Sequence, residues 1–284
     1  MSKLLEMFQQ DFMVNVLCGT TIVAALCSYL GVFIVLRRAV FVGAALAQVS
    51  SLGVGVAVWA GASMGMAAGH DLPWWGHPLA LLLTLGTAMV FAMQYRERVL
   101  PRESVVGVIY AVASALAILV IAVTAGGEAA VMNLWFGNVL TISRSGVVGL
   151  GALALLVGTV HALFYKEFLF ASFDPDMAMA LGIRASWWNM LLYLTIGLTI
   201  AFATRAAGVL VVFNFLVLPT VTSLLLAKRM RGTLVLAVAI GVLAGVVGSA
   251  LSYVRDLPTG PTIVVVNGAF LALAWSARGL ALRR

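Results

Sequence analysis

The sequence predicts an all-α polytopic membrane protein with eight or nine transmembrane helices and a short helix on the cytoplasmic side. Of its 284 residues, 63% are hydrophobic and 10% are charged, and the mean hydropathy is +1.11. Soluble domains carry about 25% charged residues, so this chain has too few polar side chains to cover a water-facing surface. The abundance of apolar residues argues against disorder, and the continuous apolar runs argue against the alternating pattern of a membrane β-barrel.

Nine apolar segments account for the predicted spans, because a helix needs about 20 apolar residues to cross the hydrocarbon core. Only a short break around Thr204 and Arg205 separates the sixth segment from the seventh, so one of the two could be a half-helix or a re-entrant piece, which leaves eight or nine spans. The segments cover residues 12–36, 45–68, 78–94, 104–125, 146–165, 186–203, 206–227, 233–254 and 262–280.

Basic residues predict the orientation, because cytoplasmic loops of membrane proteins are enriched in Lys and Arg. With the N-terminus outside and the C-terminus inside, 13 of the 17 basic residues fall in cytoplasmic connections. The four on the other side are Lys3, Arg144, Arg205 and Arg255. We therefore expect a multi-pass protein of a bacterial cytoplasmic (inner) membrane, and the net charge of +7 reflects its loops rather than a nucleic-acid site.

Ionisable side chains avoid the predicted spans. All ten acidic residues fall in connections or at helix ends, and among His, Lys and Arg only His161 lies well inside a span. Ion-driven carriers generally need buried ionisable groups in the membrane. A lone histidine in a helix more often packs or lies at an interface, so the spans show no evident machinery for coupling to a proton gradient.

The connection after the fifth segment, at about residues 167–185, is too structured for a simple turn. Asp174 before Pro175 predicts an N-cap followed by proline at the first helical position. Asp176 lies in the first turn, where an acidic group suits the helix dipole, and Gly182 suits the C-terminus. A short helix with an exposed face of Ala, Met and Gly could enter a partner's groove or lie on lipid.

This connection resembles the coupling region of the permease subunits of metal-uptake ABC transporters, the zinc, manganese and iron family. The family pattern reads roughly F-D-P-x-x-A-x-x-x-G, and the chain matches it at Phe173, Asp174, Pro175, Ala178 and Gly182. Five further pieces agree in order along nearly the whole chain, and six pieces in the right order are specific although each is weak alone. The others are 31–38 (GVFIVLRR), 107–111 (GVIYA), 134–140 (LWFGNVL), 208–211 with 218–219 (GVLV and LP), and 256–262 (DLPTGPT).

The resemblance implies a single transmembrane permease domain over residues 1–284, and it implies partners. A second permease subunit, identical or different, would complete the pore, and an extracytoplasmic metal-binding protein would deliver the ion. A cytoplasmic ATP-binding subunit would dock on the coupling region, since this chain has no P-loop and is expected to bind no cofactor and to be no enzyme itself. The ATPase-coupling residues would be Phe173, Asp174, Pro175, Asp176, Ala178 and Gly182.

The second segment departs from the family pattern where metal specificity is expected. Typical members begin it with G-D-x-L-x-H, which places an oxygen and a nitrogen ligand on one helix face. Here Ala44 stands in the place of the Asp and Gln48 in the place of the His, with Ser51 on the same face as Gln48. In the seventh segment, proline frees a backbone carbonyl, either in a broken helix along the path or in a kink that Ser and Thr satisfy. The expected translocation path comprises Ala44, Gln48, Ser51, Asn214, Pro219 and Thr220.

The connection after the second segment holds a further candidate metal site. His70, Asp71 and His77 could bind a metal at the outer mouth. The alternative is a polar loop whose tryptophans lie in the interfacial belt.

Three other functions compete with the metal-uptake permease. An ABC permease for a chelated metal or another small solute would explain the uncharged second segment, although an iron-chelate or cobalamin type predicts a longer chain. A secondary transporter or channel would act without an ATPase. A structural scaffold is disfavoured by the specific cytoplasmic helix.

The orientation yields a direct test with reporters fused after Arg284. A reporter that works in the cytoplasm is expected to be active there, and a reporter that needs the outer compartment is expected to be silent. The reason is that the distribution of basic residues predicts a C-terminus on the cytoplasmic side. Activity of the outer reporter at the C-terminus would contradict the assignment, and a fusion after residue 68, expected outside, is the matched control.

Overall fold

The computed structural model describes residues 11–64, 75–93, 101–124 and 142–281, and within these ranges it contains helices and no strands. The helices are joined by connections that are mostly two to four residues long where both ends are described. The helices are α1 (Asp11–Leu36), α2 (Val40–Ser63), α3 (Gly76–Met93), α4 (Arg102–Ala122), α5 (Arg144–Leu163), α6 (Tyr165–Phe173), α7 (Pro175–Ala180), α8 (Ala185–Ala207), α9 (Val209–Leu226), α10 (Met230–Arg255) and α11 (Thr259–Ala281).

Nine helices in the described part of the chain are long and apolar enough to cross a membrane, namely all except α6 and α7. These two have nine and six residues and therefore reach at most about 13 Å along their axes. The predicted all-α polytopic membrane fold is confirmed, at the upper of the two expected span counts.

The boundary between the sixth and seventh spans differs from the prediction. Thr204 and Arg205 lie in the last turn of α8, and the chain turns instead at Gly208, whose φ is +82°. Glycine adopts this left-handed region without the steric cost that a Cβ would impose. Because α8 has 23 residues and α9 has 18, both are long enough to span, and neither is a half-helix.

The second span begins at Val40, five residues earlier than predicted, because α1 ends abruptly. Arg38 takes a φ of +57°, and the Ala39 N–H donates to the Ile34 carbonyl at 3.0 Å. This pattern is the Schellman motif, which closes a helix and reverses the chain within a few residues. Hydropathy gives no sign that Arg38 adopts a left-handed backbone conformation, and it therefore predicts a start of α2 that is too late.

The helices form two compact units, which are described separately. Unit 1 contains α1, the first part of α5, and α9 to α11, and unit 2 contains α2 to α4, the end of α5, and α6 to α8.

In unit 1, α1 packs against α9 and α10, and α11 packs against the same two helices. Small residues let these backbones approach closely, as is common in membrane bundles. A Cβ added to Gly31 would overlap the Leu216 carbonyl oxygen, and one added to Gly248 would lie 2.8 Å from Ile263 Cα. In unit 2, Gly53 of α2 approaches Ala80 of α3 in the same way.

The close approach of α1 and α9 predicts the effect of Gly31→Ala. The added methyl has no room beside the Leu216 carbonyl, and overpacking typically costs about 1–3 kcal/mol. We expect the midpoint of thermal unfolding of the purified protein in detergent to fall by about 5 °C.

Gly107→Ala is the matched control, because Gly107 lies on an exposed face of α4 with no atom within 4 Å of the added Cβ. Its midpoint is expected to stay the same or rise slightly, since alanine is the better helix former. Equal midpoints for the two variants would contradict the packing of α1 on α9.

Candidate functional site

The short helix α7 is capped at both ends by its own sequence. At its start, Asp174 Oδ1 accepts a hydrogen bond from the Met177 N–H at 2.9 Å, and Pro175 occupies the first helical position. At its end, Gly182 has a φ of +76° and the Ile183 N–H donates to the Ala178 carbonyl at 2.8 Å. The predicted aspartate N-cap and glycine C-terminus are confirmed. These caps satisfy backbone groups at both ends, which stabilises a helix of only six residues.

One face of α7 packs inward and the other is exposed. Ala178 is fully buried against Ala171 of α6 and Ala185 of α8, so the exposed alanine of α7 is Ala180 and not this coupling candidate. Its small side chain instead lets α7 lie close to the neighbouring helices. The exposed apolar side chains in this region are Phe173, Met177 and Leu181, which are 41%, 48% and 55% exposed.

The side chains of Pro175 and Asp176 lie outside the described part of the structure. The remaining predicted coupling residues belong to one continuous segment, which begins at Phe173 at the end of α6 and ends at Gly182, and all of them except Ala178 are exposed.

The helix before it, α6, was not anticipated from the sequence. Phe168 and Ala171 are its buried residues, and they are spaced three apart as on one face of a helix. This spacing indicates a helix, but the neighbouring charged residues Lys166 and Glu167 make the segment resemble an ordinary polar connection.

In unit 2, the predicted path residues of α2 are all buried. Ala44, Gln48 and Ser51 are 7%, 1% and 2% exposed. Gln48 Oε1 and Ser51 Oγ have no hydrogen-bond partner among the described residues. An unpartnered buried oxygen costs free energy, so these two oxygens are suited to accept hydrogen bonds from water or to coordinate a cation.

In unit 1, the predicted path residues of α9 have two different roles. The helix continues through Pro219, and Thr220 Oγ1 donates to the Ser28 carbonyl of α1 at 3.3 Å, so the helix is not broken there. The Thr222 hydroxyl donates to the Leu218 carbonyl at 2.8 Å, whereas the carbonyl that loses its helical N–H partner at Pro219 is that of Phe215, four residues earlier. Asn214, by contrast, is buried, and neither atom of its amide has a partner among the described residues.

Further unpartnered polar groups lie in unit 1, and sequence reasoning did not select them. The Cβ position of Gly245 lies 3.1 Å from the Thr20 methyl, and Gly248 meets Ile263 one helical turn before Asn267. Thr20 and Asn267 are 1% and 0% exposed, and their polar side-chain atoms have no partner in the described chain. The available signal was the pair of glycines in α10, Gly245 and Gly248, which let Thr20 of α1 and Ile263 of α11 approach closely.

The expected metal site at the outer mouth is only partly described. His70 and Asp71 lie outside the described residues, and His77 lies half-buried in the first turn of α3. Within the described ranges, no three His, Cys, Asp or Glu side chains are grouped as metal ligands.

Comparisons with known proteins cover nearly the whole chain. The model of the ABC 3 transport family matches residues 9–277. The manganese transport system membrane protein MntC of Halalkalibacterium halodurans is 29% identical over 282 residues, covering 97% of this chain and 91% of that protein. The manganese import system permease protein ScaB of Streptococcus gordonii is 24% identical over 269 residues, covering 93% and 90%.

The fold also matches a solved structure. PsaBC from Streptococcus pneumoniae in complex with Fab aligns with a TM-score of 0.82 at 22% sequence identity, covering 100% of this chain and 99% of that chain. The shared fold agrees with the family match, which extends over residues 9–277. The chain belongs to the ABC 3 transport family and is a membrane-spanning subunit of an ABC transporter.

Proposed function

We propose that this chain is the permease subunit of an ABC importer for a divalent metal ion, such as manganese, zinc or iron. The observation that carries the proposal is the capped helix α7, whose exposed apolar side chains fit a groove on a separate ATP-binding subunit. The names of the Halalkalibacterium and Streptococcus relatives, which specify manganese transport and manganese import, support the substrate and the direction.

The proposed assembly follows from the family. Residues 1–284 act as one permease domain, a second permease subunit completes the pore, and an extracytoplasmic metal-binding protein supplies the ion. The basic loops favour an outside N-terminus and an inside C-terminus, which places α7 on the cytoplasmic side with the ATP-binding subunit. ATP is then bound by that subunit and not by this chain.

The path is proposed to hold the ion weakly, through neutral oxygens. In unit 2, the Gln48 and Ser51 oxygens are buried without partners, and α2 contains no ionisable side chain. In unit 1, the Asn214 amide is a further candidate. Weak sites favour conduction, since a bound ion must also leave. The absence of charge at Ala44 and Gln48 equally favours the second candidate substrate, a chelated metal or another small solute.

Reconstitution tests the energy source and the substrate together. Proteoliposomes containing this chain, its ATP-binding subunit and its metal-binding protein are expected to accumulate manganese only with ATP on the ATPase side. ADP or a non-hydrolysable analogue should give background uptake. Accumulation driven by an ion gradient without ATP would favour a secondary transporter, and ATP-driven uptake of a chelate alone would favour the second candidate.

The same assay tests the path through Gln48→Met, which keeps the side-chain length and removes the amide. We expect uptake to fall at least tenfold with ATPase binding unchanged. Thr87→Val is the control, because the Thr87 hydroxyl already donates to the Leu83 carbonyl of its own helix. Full uptake by Gln48→Met would exclude this side chain from the path.

The capped helix predicts the effect of Asp174→Ala on transport. Loss of an N-cap costs about 1 kcal/mol, which corresponds to about a fivefold change in the ratio of ordered to disordered helix. We expect ATP-driven uptake to fall about fivefold, while membrane insertion stays the same and the midpoint of thermal unfolding falls by no more than about 4 °C.

Asp174→Ser separates the cap from the charge, because serine caps a helix without a carboxylate. This variant is expected to retain most of the uptake of the unaltered protein. Full uptake by Asp174→Ala would remove the cap from the coupling mechanism, and loss of uptake by both variants would assign the role to the charge.

A further inference from the structure

A buried cluster of rings lies directly beneath the short helix, entirely within unit 2. The His161 ring of α5 stacks on the Phe168 ring of α6, with centroids 4.2 Å apart and an interplanar angle of 9°. Phe168 meets the edge of Trp188 of α8 at 5.5 Å, and Trp188 also contacts Phe164 at 4.9 Å. His161 and Phe168 are each 1% exposed, so these rings are fixed by packing on all sides.

The histidine also joins α5 to α8 through a directed hydrogen bond. His161 Nε2 lies 3.0 Å from Thr195 Oγ1, and the Thr195 hydroxyl lies 2.8 Å from the Leu192 carbonyl. A hydroxyl has one hydrogen, and a carbonyl oxygen can only accept it. The imidazole must therefore donate from Nε2 to Thr195, which sets the orientation of the ring that stacks on Phe168.

The ring cluster continues into the packing under α7. Trp188 packs against the alanine cluster formed by Ala171, Ala178 and Ala185, one from each of α6, α7 and α8. Ala178 is the residue of α7 that is fully buried. A displacement of α7 therefore presses first on this cluster, then on Trp188 and Phe168, and then on His161.

A second contact carries the same group to another span. Asn189, the neighbour of Trp188, donates from Nδ2 to the Ala92 carbonyl at 3.0 Å, near the C-terminus of α3. Near its start, α8 is thus held to α3 at Ala92 and packs on α7 at Ala185, and at Thr195 in its middle it is held to His161 of α5.

We infer that His161 is a positioning residue of the transport cycle, and that its stack on Phe168 and its hydrogen bond to Thr195 transmit movement of α7 to spans α5 and α8. This inference rests on the proposed function, since it gives the docked ATP-binding subunit a route into the membrane. Close-packed interiors transmit displacement because they cannot compress. If movement follows this route, breaking it must uncouple ATP hydrolysis from transport.

Two substitutions divide the contributions of His161. His161→Phe keeps a flat ring against Phe168 and loses the hydrogen bond, whereas His161→Leu loses both. Thr195→Val keeps the side-chain shape and removes the oxygen that accepts from His161. The assay is the proteoliposome system described above, with manganese uptake and ATP hydrolysis measured on the same sample.

We expect His161→Leu to lower uptake at least tenfold while ATP hydrolysis stays within twofold, so that the ATP consumed per ion transported rises at least fivefold. His161→Phe and Thr195→Val should each lower uptake about threefold. The double variant His161→Phe/Thr195→Val should lower uptake no further than either single variant, because both substitutions break the same hydrogen bond. Thr87→Val, whose hydroxyl is bound within its own helix, is the control and should leave the ratio unchanged.

A purely structural role would give a different result. If uptake, hydrolysis and the thermal midpoint fall together in His161→Leu, or if the effects of His161→Phe and Thr195→Val multiply, the inference is wrong. An unchanged ratio in all variants would also overturn it. Failure of the proposed function would instead appear in the unaltered protein, as uptake that does not depend on ATP.

Discussion

The structure depends on one constraint, namely that backbone N–H and C=O groups inside a bilayer need partners within the chain. Helices meet this requirement along their length, so the remaining problem is how each one ends. Helices α1, α7 and α10 share one solution, a left-handed residue followed by an N–H that bonds five residues back. The left-handed residues are Arg38, Gly182 and Asp256. Tight endings of this kind let long spans follow one another with almost no chain between them.

The same constraint separates polar side chains that stabilise the fold from those that are free to act. Thr84 donates to the Ala80 carbonyl and Thr222 to the Leu218 carbonyl, so each hydroxyl is satisfied by its own helix. A short hydroxyl reaches the carbonyl one turn back without leaving the helix. The amides of Gln48, Asn214 and Asn267 contain buried atoms that no described residue satisfies. This difference, and not polarity alone, distinguishes candidate path groups from structural ones.

Features formed by residues close together in the sequence could be predicted, and features that depend on contacts between helices could not. The caps of α7 are chemistry between residues three to five apart, so Asp174 and Gly182 could be assigned correctly. The polar residues Thr204 and Arg205 predict a turn at the wrong place. Both lie in the last turn of α8, and the chain turns at Gly208. The burial of Ala178 depends on helices on either side of it, and no pattern in α7 alone reveals which face they cover. Likewise, His161 reads as an isolated histidine until α6 and α8 surround it.

The length of α9 has a consequence for the membrane itself. Its 18 residues measure about 27 Å, which is near the shortest length that crosses a hydrocarbon core of about 30 Å. Its neighbours α1 and α10 have 26 residues each and are longer than that core. Near the C-terminal end of α9, Arg278 of α11 donates to the Leu225 carbonyl at 3.4 Å, so a neighbouring cation pairs with a backbone carbonyl at the end of the short span. Unit 1 therefore has a built-in hydrophobic mismatch, and lipid chain length becomes one of the variables that sets how its helices tilt.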